Sequence, residues 1–302
     1  MSALSGPLTG KVAFITGGGS GIGRGIAERL ACEGADIFIA DIDTAGAEAT
    51  VDLVNQHGRR AIVAKANVAA PAQLERAAAD CVDRLGRLDF ALANAGIGRA
   101  GPVLEMSLKD WQDQIDINLT GVFLTVQAAA RQMVRLGNGG RIVCISSLAA
   151  ENTGAHMWSY SATKAGVRIM VRGWAQELGP HGITVNAIGP GVIDTPLAAG
   201  LAGEADGAIR RNLEARTPVG RVGKPADIAG LVNFLCGTDG EFMTGSYLIM
   251  DGGLRDARAG AAQAGQSSVG ASQDDALAEM QRIMARGQAR RAQHQVWIDE
   301  RD

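Results

Sequence analysis

The sequence predicts an α/β fold, in which a doubly wound parallel sheet of about seven strands is flanked by helices. Two observations support this fold class. Between residues 11 and 253, short apolar runs alternate with longer amphipathic ones, and most of the apolar runs contain no regular polar positions. Strands covered by helices on both faces have such continuous apolar runs. The 302 residues, 46% of them hydrophobic, are enough for one large domain with some chain left over.

Seven apolar runs are the predicted strands. They cover residues 12–15, 37–40, 61–64, 90–93, 142–145, 184–188 and 247–250. The helix patterns between them include residues 22–33, 72–85, 111–136 and 160–178. Such alternation predicts βαβ units. Residues 191–224 break the rhythm after a strand's C-terminal end, where ligands of open α/β sheets bind, so we expect this segment to cover the substrate.

The composition changes after the last predicted strand. Residues 258–272 are mainly Ala, Gly, Gln and Ser, which is typical of a flexible linker. Asp274 and Asp275 can then cap a helix whose apolar stripe contains Leu277, Met280 and Ile283. We therefore divide the chain into a catalytic domain, 1–254, and an extension, 255–302. The stripe packs either on its own domain or on a neighbouring subunit; a membrane surface is the third alternative.

Composition and charge argue against several classes of protein. The formal net charge is -3 and only 4% of residues are aromatic, so we expect no nucleic-acid partner. No apolar run reaches the roughly 18 residues of a membrane span, and the N-terminus has no signal-peptide pattern. The four cysteines (Cys32, Cys81, Cys144 and Cys236) have no paired spacing, and we expect them to be buried and reduced. These features predict a soluble, cytoplasmic protein without a metal site.

A glycine cluster links the first predicted strand to the first helix. Residues 16–23 read Thr-Gly-Gly-Gly-Ser-Gly-Ile-Gly. Glycine allows positive φ angles and a close approach of the backbone to a pyrophosphate, and the following helix N-terminus offers N–H groups to the phosphates. The spacing differs from G-x-G-x-x-G, and a plain turn is the alternative. Its position between strand and helix favours a dinucleotide site.

Asp41 ends the second predicted strand, about where an acidic residue meets the adenosine ribose of a dinucleotide. A carboxylate there accepts hydrogen bonds from ribose hydroxyls and repels a 2′-phosphate. No Arg or Lys adjoins Asp41 in the sequence, and Ser20 occupies the loop position where a basic residue could meet that phosphate. The sequence therefore favours NAD over NADP. A helix cap or a surface acid is the alternative role of Asp41.

Tyr160 and Lys164 lie four residues apart at the start of a long helix pattern, and hence on one helix face. A free tyrosine, with a pKa of about 10, is a poor base at neutral pH. A neighbouring ammonium and the positive nicotinamide ring favour the phenolate, so we expect the pKa of Tyr160 to fall into a range useful for acid–base catalysis. A core tyrosine with a solvated lysine is the alternative.

Two further polar residues point to the same place. Ser147 follows the fifth predicted strand at the sheet edge where the helix of Tyr160 begins, and its hydroxyl can hold a substrate oxygen; Ser146 is the competing, more structural candidate. Asn118 interrupts an apolar helix pattern. Its amide can bind a backbone carbonyl and a water that relays protons towards Lys164, or it can be an ordinary satisfied buried amide.

Together these residues resemble the short-chain dehydrogenase/reductase family, from Leu8 to Gly253. The resemblance rests on residues 16–23, Asp41, residues 94–96, Asn118, Ser147, Tyr160, Lys164, Pro190, Gly191, Thr195 and residues 251–253. It implies a Rossmann-like fold and a catalytic tetrad of Asn118, Ser147, Tyr160 and Lys164. In this tetrad Tyr160 is the acid–base group, Ser147 anchors the substrate oxygen, and Lys164 modulates the phenol and binds the ribose.

The resemblance also implies a set of cofactor contacts. Asn94 and Gly96 are expected along the adenosine ribose, and Ile193 and Thr195 at the nicotinamide carboxamide. The full expected set is Gly17, Ser20, Gly21, Ile22, Gly23, Asp41, Ile42, Asn67, Val68, Asn94, Ala95, Gly96, Tyr160, Lys164, Pro190, Gly191, Ile193 and Thr195. The chain departs from the family pattern at Asn67, where Asp is usual, and at Ala93, where Asn is frequent. Members of the family commonly form tetramers, so we expect a homotetramer or a dimer, with the tail helix as a possible interface element.

We therefore expect an NAD-dependent oxidoreductase that interconverts a secondary alcohol and a ketone, with Ser147, Trp158 and Tyr160 at the substrate. An NADPH-dependent 3-oxoacyl or ketone reductase and a non-catalytic nucleotide-binding scaffold are the alternatives. His156 and Trp158 lie where they could recognise a substrate or merely pack a loop. Arg210, Arg211 and Arg216 in the covering segment weakly suggest an anionic substrate.

Overall fold

Seven parallel strands form the sheet at the centre of the computed structural model, which describes residues 6–199 and 207–257. In chain order the strands are β1 (Val12–Thr16), β2 (Asp36–Asp41), β3 (Ala61–Lys65), β4 (Phe90–Ala93), β5 (Gly140–Ile145), β6 (Ile183–Pro190) and β7 (Tyr247–Met250). Their order in the sheet is β3-β2-β1-β4-β5-β6-β7. The winding reverses between β1 and β4, which creates a crevice at the carboxyl ends of these strands.

Helices cover both faces of the sheet. In chain order they are α1 (Gly21–Cys32), α2 (Thr44–Gln56), α3 (Pro71–Leu85), α4 (Leu108–Ile115), α5 (Gly121–Leu136), α6 (Trp158–Leu178), α7 (Ala208–Arg216) and α8 (Pro225–Cys236). Side chains of α3, α5 and α6 build the core on one face, and those of α1, α2 and α8 build the core on the other. Because both faces are covered, every residue of β1 is buried.

The predicted fold class and all seven predicted strands are confirmed. Three helices, α2, α7 and α8, were not among the predicted helix patterns. The buried face of α2 carries only Ala47, Thr50 and Val54, a stripe too narrow and too polar to stand out in the sequence. The predicted helix 111–136 begins earlier than expected, at Leu108. It is divided into α4 and α5 by a π-helical segment, Asp116–Thr120.

The prediction that all four cysteines are buried is wrong for Cys32, which is exposed. The buried stripe of α1 ends with Leu30 and Ala31, so Cys32 at the end of the helix falls outside it. Cys81, Cys144 and Cys236 are buried.

The predicted linker and tail helix lie outside the described residues, so the division at residue 254 stays a prediction. In the ranges that the structure describes, no helix has both the length and the hydropathy needed to cross a bilayer.

Candidate functional site

The carboxyl ends of the strands open into a cavity of about 490 Å³. Almost every residue predicted to bind cofactor or substrate lies in its wall. Those residues are Gly17, Ser20, Gly21, Ile22, Asp41, Ile42, Asn67, Val68, Asn94, Ala95, Gly96, Ser147, Tyr160, Lys164, Pro190, Gly191, Ile193 and Thr195. Three predicted residues, Gly23, Asn118 and Trp158, are not in the wall.

The glycine bend at one end of the cavity has no room for side chains. Gly17 has a φ of 69°, a left-handed conformation, and a Cβ atom there would lie 2.8 Å from the Cα of Ala95. Gly23 lies beneath the bend, where a Cβ atom would lie 2.1 Å from the carbonyl oxygen of Gly17. The Asn94 amide donates to the carbonyls of Thr16 (3.0 Å) and Gly17 (2.8 Å), so it holds the bend against β4.

Helix α1 begins at this bend and points its N-terminus at the cavity. Its N-cap, Ser20, accepts no side-chain capping bond, and its first turn contains no acidic residue. The first N–H groups and the positive end of the helix dipole therefore remain available to an anion. Thr195 packs closely against the first residue of α1. A Cβ atom added to Gly21 would lie 3.2 Å from the Cβ of Thr195.

Asp41 ends β2 at the rim of the cavity. One carboxylate oxygen accepts the Gly19 N–H at 2.8 Å, and the other accepts the Asp43 N–H at 2.9 Å. Two basic residues come near it in ways that sequence spacing does not reveal. Lys65 is the register partner of Asp41 on β3, although it does not line the cavity. Arg24 hydrogen-bonds the carbonyls of Gly19 and Gly46 beneath the bend.

Asn67 and Val68 form the wall beyond β3. The side-chain oxygen of Asn67 accepts the Ala69 N–H at 2.9 Å, and its backbone N–H donates to Gln73. The carboxamide nitrogen of Asn67 is thus the part of this side chain that can donate to a ligand. An aspartate in its place would offer an acceptor instead.

Asn118 is fully buried within the π-helical segment and lies behind the cavity wall. Its side-chain oxygen accepts the N–H of Ile97 and its amide nitrogen donates to the carbonyl of Ile97, both at 2.8 Å. The predicted bond to a backbone carbonyl is therefore present. This pair of bonds satisfies the backbone of a loop residue that lines the cavity, and the π-helical turn places the amide there.

The two serines after β5 have different roles. The Ser146 hydroxyl donates to the carbonyl of Lys164 at 2.8 Å and is buried, so it ties β5 to α6. The Ser147 hydroxyl faces the cavity and accepts the Ala149 N–H at 3.1 Å, which begins a short turn, Leu148–Ala150. Ser147 is therefore the serine that can reach a substrate.

Tyr160 and Lys164 lie side by side on the first turns of α6. The Lys164 ammonium lies 5.6 Å from the centre of the Tyr160 ring and donates to the carbonyl of Ile145 at 2.9 Å. The Lys164 side chain is almost completely buried, and burial lowers its pKa to about 8.

The pKa of Tyr160 moves opposite to the expected direction. Burial raises it, and a side-chain hydrogen bond with Ser147 opposes that rise without overcoming it. The predicted net lowering is therefore wrong for the environment that the protein's own residues create. The expectation counted the charges of Lys164 and of the nicotinamide ring, and it left out the desolvation of the phenolate, which is the largest cause of the shift.

Trp158 lies away from the cavity. Its indole ring stacks on Trp111 with centroids 5.7 Å apart, and its N–H donates to the carbonyl of Gly101 at 3.2 Å. The neighbouring Met157 lines the cavity in its place. His156 has a φ of 68°, and its carbonyl accepts the Gly101 N–H, so this residue shapes the loop.

Sequence reasoning missed part of the reacting end. Ile97, Leu148 and Asn152 also line the cavity there. They follow the carboxyl ends of β4 and β5, which is the signal that could have found them. The predicted covering segment contributes residues 191–193 and 195–198, and α7 follows further along the chain.

Comparisons with known proteins identify the family. L-rhamnose 1-dehydrogenase (NAD(P)(+)) of Sphingomonas sp. (strain SKA58) is 39% identical over 248 residues, which cover 82% of this chain and 97% of that protein. The crystal structure of carveol dehydrogenase from Mycobacterium avium in complex with NAD has a TM-score of 0.78 at 36% identity and covers 83% of this chain and 99% of its own. A family model described as enoyl-(acyl carrier protein) reductase matches residues 17–255.

The chain belongs to the short-chain dehydrogenase/reductase family. The resemblance inferred from the motifs is thereby confirmed, and the protein is an oxidoreductase. A further family member, a short chain dehydrogenase from Burkholderia cenocepacia J2315 in complex with NADP, has a TM-score of 0.76 at 40% identity, with 82% of this chain and 99% of that chain covered. Similar members of this family thus occur in complexes with either nicotinamide dinucleotide.

Proposed function

We propose that this short-chain dehydrogenase/reductase uses NAD to interconvert a secondary alcohol and a ketone. The observation that carries the proposal is the meeting of the glycine bend, Ser147, Tyr160 and Lys164 in the wall of one cavity. In this proposal Asn118, Ser147, Tyr160 and Lys164 are the catalytic tetrad.

The glycine bend and the N-terminus of α1 fit the pyrophosphate of a dinucleotide, because Gly17 and Gly23 permit the tight bend and no side chain caps the first N–H groups of α1. Asp41 would hold the adenosine ribose, Lys164 the second ribose, and Ile193 and Thr195 the carboxamide. When bound, the nicotinamide accepts the hydride from the alcohol or supplies it to the ketone.

Tyr160 transfers the proton at its phenolic oxygen. For ketone reduction the neutral phenol donates this proton, and because burial raises its pKa the neutral form is the one the protein favours. For alcohol oxidation the phenolate must accept it, which favours alkaline pH. Ser147 donates a hydrogen bond to the substrate oxygen, and Asn118 supports the Ile97 loop through both of its backbone bonds.

We propose NAD on the basis of the Asp41 carboxylate at the cavity rim. A 2′-phosphate there would meet a negative charge, and Arg24 already bonds the carbonyls of Gly19 and Gly46. One observation favours the second candidate, an NADPH-dependent ketone reductase: Lys65 is the register partner of Asp41 on the neighbouring strand. A substitution that removes the charge of Asp41 separates these two candidates.

We further propose that the substrate carries no charge. The reacting end is lined by Ile97, Leu148, Met157, Val192 and Leu197, with Asn152 as a polar side chain among them. Within the described ranges, Asp41 and Lys164 are the charged residues in the wall. Arg210 is paired with Asp194 at 2.9 Å and with Glu214 at 3.2 Å, which removes part of the reason to expect an anionic substrate.

The protein is also proposed to be a cytoplasmic homotetramer or dimer. Four free thiols suit a reducing compartment. Phe123 and Val134 of α5 are 39% and 40% exposed beside a groove that Trp174 and Leu178 of α6 also line, and such a surface fits the same surface of a second copy.

The test of the proposed reaction is NADH formation over a panel of uncharged secondary alcohols, with the Tyr160→Phe variant measured beside the wild type. We expect the variant to bind NAD normally, as measured by calorimetry, and to lose at least about a thousandfold in kcat, because only the transferable proton is removed. Ser161→Ala is the matched control, since it removes a nearby hydroxyl that bonds Thr153 and does not line the cavity. Near-normal turnover by Tyr160→Phe would contradict the assignment.

A further inference from the structure

Tyr247 links the last strand of the sheet to Ser147. Its phenolic oxygen donates a hydrogen bond of 2.5 Å to the backbone carbonyl of Ser147, a residue 100 positions earlier in the chain. Tyr247 is the first residue of β7, at the edge of the sheet, whereas Ser147 follows β5. Since β6 lies between these two strands, the tyrosine side chain must cross it to reach the serine.

Gly189 on β6 provides the space for this crossing. A Cβ atom on Gly189 would lie 2.3 Å from the phenolic oxygen of Tyr247 and 2.6 Å from the ring carbon that bears it. Gly189 is not among the glycines with a positive φ, so its backbone conformation does not require glycine. Glycine is required there because the tyrosine ring passes over this position.

A network of charged residues contacts the ring of Tyr247. The Arg168 guanidinium lies 5.1 Å from the ring centre, within the range of a cation–π contact. Arg168 also pairs with Glu151 at 3.2 Å, and Glu151 pairs with Arg255 at the same distance. Glu151 directly follows the turn that Ser147 begins, so this network connects the ring to the serine by a second route.

The bond from Tyr247 acts on the orientation of Ser147. The carbonyl of Ser147 also accepts the Ala150 N–H at 2.9 Å, and its hydroxyl accepts the Ala149 N–H at 3.1 Å. A second donor on this carbonyl limits rotation of the whole residue, and hence the direction of its hydroxyl in the cavity. Burial raises the pKa of Tyr247 to about 12, so the phenol remains a donor throughout the neutral range.

We propose that Tyr247 is a positioning residue that sets the Ser147 hydroxyl against Tyr160, and that Gly189 is required to let it pass. Tyr247 does not line the cavity, so it acts through Ser147 and does not touch the substrate. The inference rests on the proposed catalytic roles of Ser147 and Tyr160. The position of Ser147 affects proton transfer, because its hydrogen bond lowers the pKa of Tyr160.

The test is the Tyr247→Phe variant, which keeps the ring and removes the donor. We expect kcat for alcohol oxidation to fall about tenfold while the KM for NAD changes less than about twofold, since cofactor contacts are untouched. A less well placed Ser147 stabilises the phenolate less. The rise of kcat with pH should therefore move to higher pH by about half a unit. The measurement is kcat as a function of pH for both proteins.

The matched control is Thr244→Val, at the same strand junction. The Thr244 hydroxyl accepts the Val185 N–H at 3.0 Å, so this variant loses a bond between the β6 and β7 regions without affecting Ser147. We expect it to lower the melting temperature and to leave the position of the pH profile unchanged. An equal shift in this control would show that Tyr247 has only a structural role.

Substitutions at Gly189 give an independent reading if Tyr247→Phe does not fold. Gly189→Ala should displace the ring and move the pH profile in the same direction. Combining Gly189→Ala with Tyr247→Val removes the collision, so we expect the melting temperature to recover while kcat stays low. Recovery of both the melting temperature and kcat in the double variant would overturn the proposal. An unchanged dependence of kcat on pH in Tyr247→Phe would also overturn it.

Failure of the underlying function looks different. Full activity in Ser147→Ala and Tyr160→Phe would reject the tetrad itself. Inactive Ser147→Ala and Tyr160→Phe together with an unchanged Tyr247→Phe would reject only the role of Tyr247.

Discussion

Burial decides the protonation of the two residues at the reacting end. It raises the pKa of Tyr160 and lowers the pKa of Lys164 to about 8, so each group is pushed towards its neutral form. The neutral phenol is prepared to give a proton to a ketone, and with a pKa of about 8 Lys164 still carries its positive charge at neutral pH. The reverse reaction needs the phenolate, and the protein contributes the Ser147 hydrogen bond to that form.

In this proposal one side chain, Asp41, determines whether NAD or NADP is preferred. Asp41→Ser removes the negative charge at the cavity rim, and we expect the preference for NAD over NADP, measured as the ratio of kcat/KM values, to fall by at least about tenfold. NAD binding becomes weaker because its ribose loses hydrogen bonds to the carboxylate. NADP binding becomes stronger because its 2′-phosphate no longer meets a negative charge.

The control for Asp41 is Asp43→Asn. Asp43 caps α2 by accepting the Gly46 N–H at 3.0 Å and does not line the cavity. Asparagine keeps this cap, so the preference should stay unchanged. A wild-type protein that already prefers NADP would contradict the role given to Asp41.

At the scale of elements, α8 shows how a helix start is secured by one acidic residue. The Asp227 carboxylate accepts the Lys224 N–H at 2.7 Å and binds both terminal nitrogens of Arg221, at 2.7 and 2.9 Å. The Arg221 hydrogen bonds, together with the backbone bond, lower the pKa of Asp227 to about 2. This junction closes the segment that runs from the cavity wall back to the core.

Asp227→Ala should therefore lower the free energy of unfolding by about 1 kcal/mol at pH 7, the usual net contribution of a hydrogen bond. The pKa of Asp227 is lower in the folded state than the usual value of 3.8 for this side chain. Its contribution is thus fully present above pH 3.8 and disappears as the pH falls towards 2, so the difference between variant and wild type should shrink over that interval.

Urea unfolding at a series of pH values measures this difference. Asp239→Ala, which removes an exposed acid shortly after α8, is the control for the loss of an acidic side chain. A difference for Asp227→Ala that stays constant down to pH 2 would show that its ionisation does not stabilise the helix.

Local patterns predicted the elements better than the contacts between them. Buried strands such as β1 stand out because every position is apolar or small, and the residues after strand ends were placed at the cavity for the same reason. The position of Lys65 opposite Asp41, the bond from Tyr247 to Ser147 and the stacking of Trp158 on Trp111 depend on which strands and loops are neighbours. The pKa of Tyr160 depends on burial, which motif spacing does not encode.

At the scale of the whole molecule, the exposed apolar side chains of α5 carry the prediction of self-assembly. The full-length protein should have the mass of a tetramer or dimer by light scattering. Phe123→Glu should shift it towards smaller species, because a charge would be buried between copies. Leu104→Glu is the matched control, since Leu104 is 95% exposed and lies outside the α5–α6 groove. A monomeric wild-type protein at micromolar concentration would contradict the prediction.

The uneven burial of the thiols gives this protein a single natural attachment point. Cys32 is exposed at the C-terminal end of α1, whereas the other three cysteines are buried, and burial raises the pKa of Cys144 and Cys236 to about 12. A maleimide dye should therefore react once per chain. The twelve residues of α1 place that label roughly 18 Å along the helix from the glycine bend. Fluorescence transfer from a bound reduced nicotinamide to such a dye would report cofactor binding without any engineered cysteine.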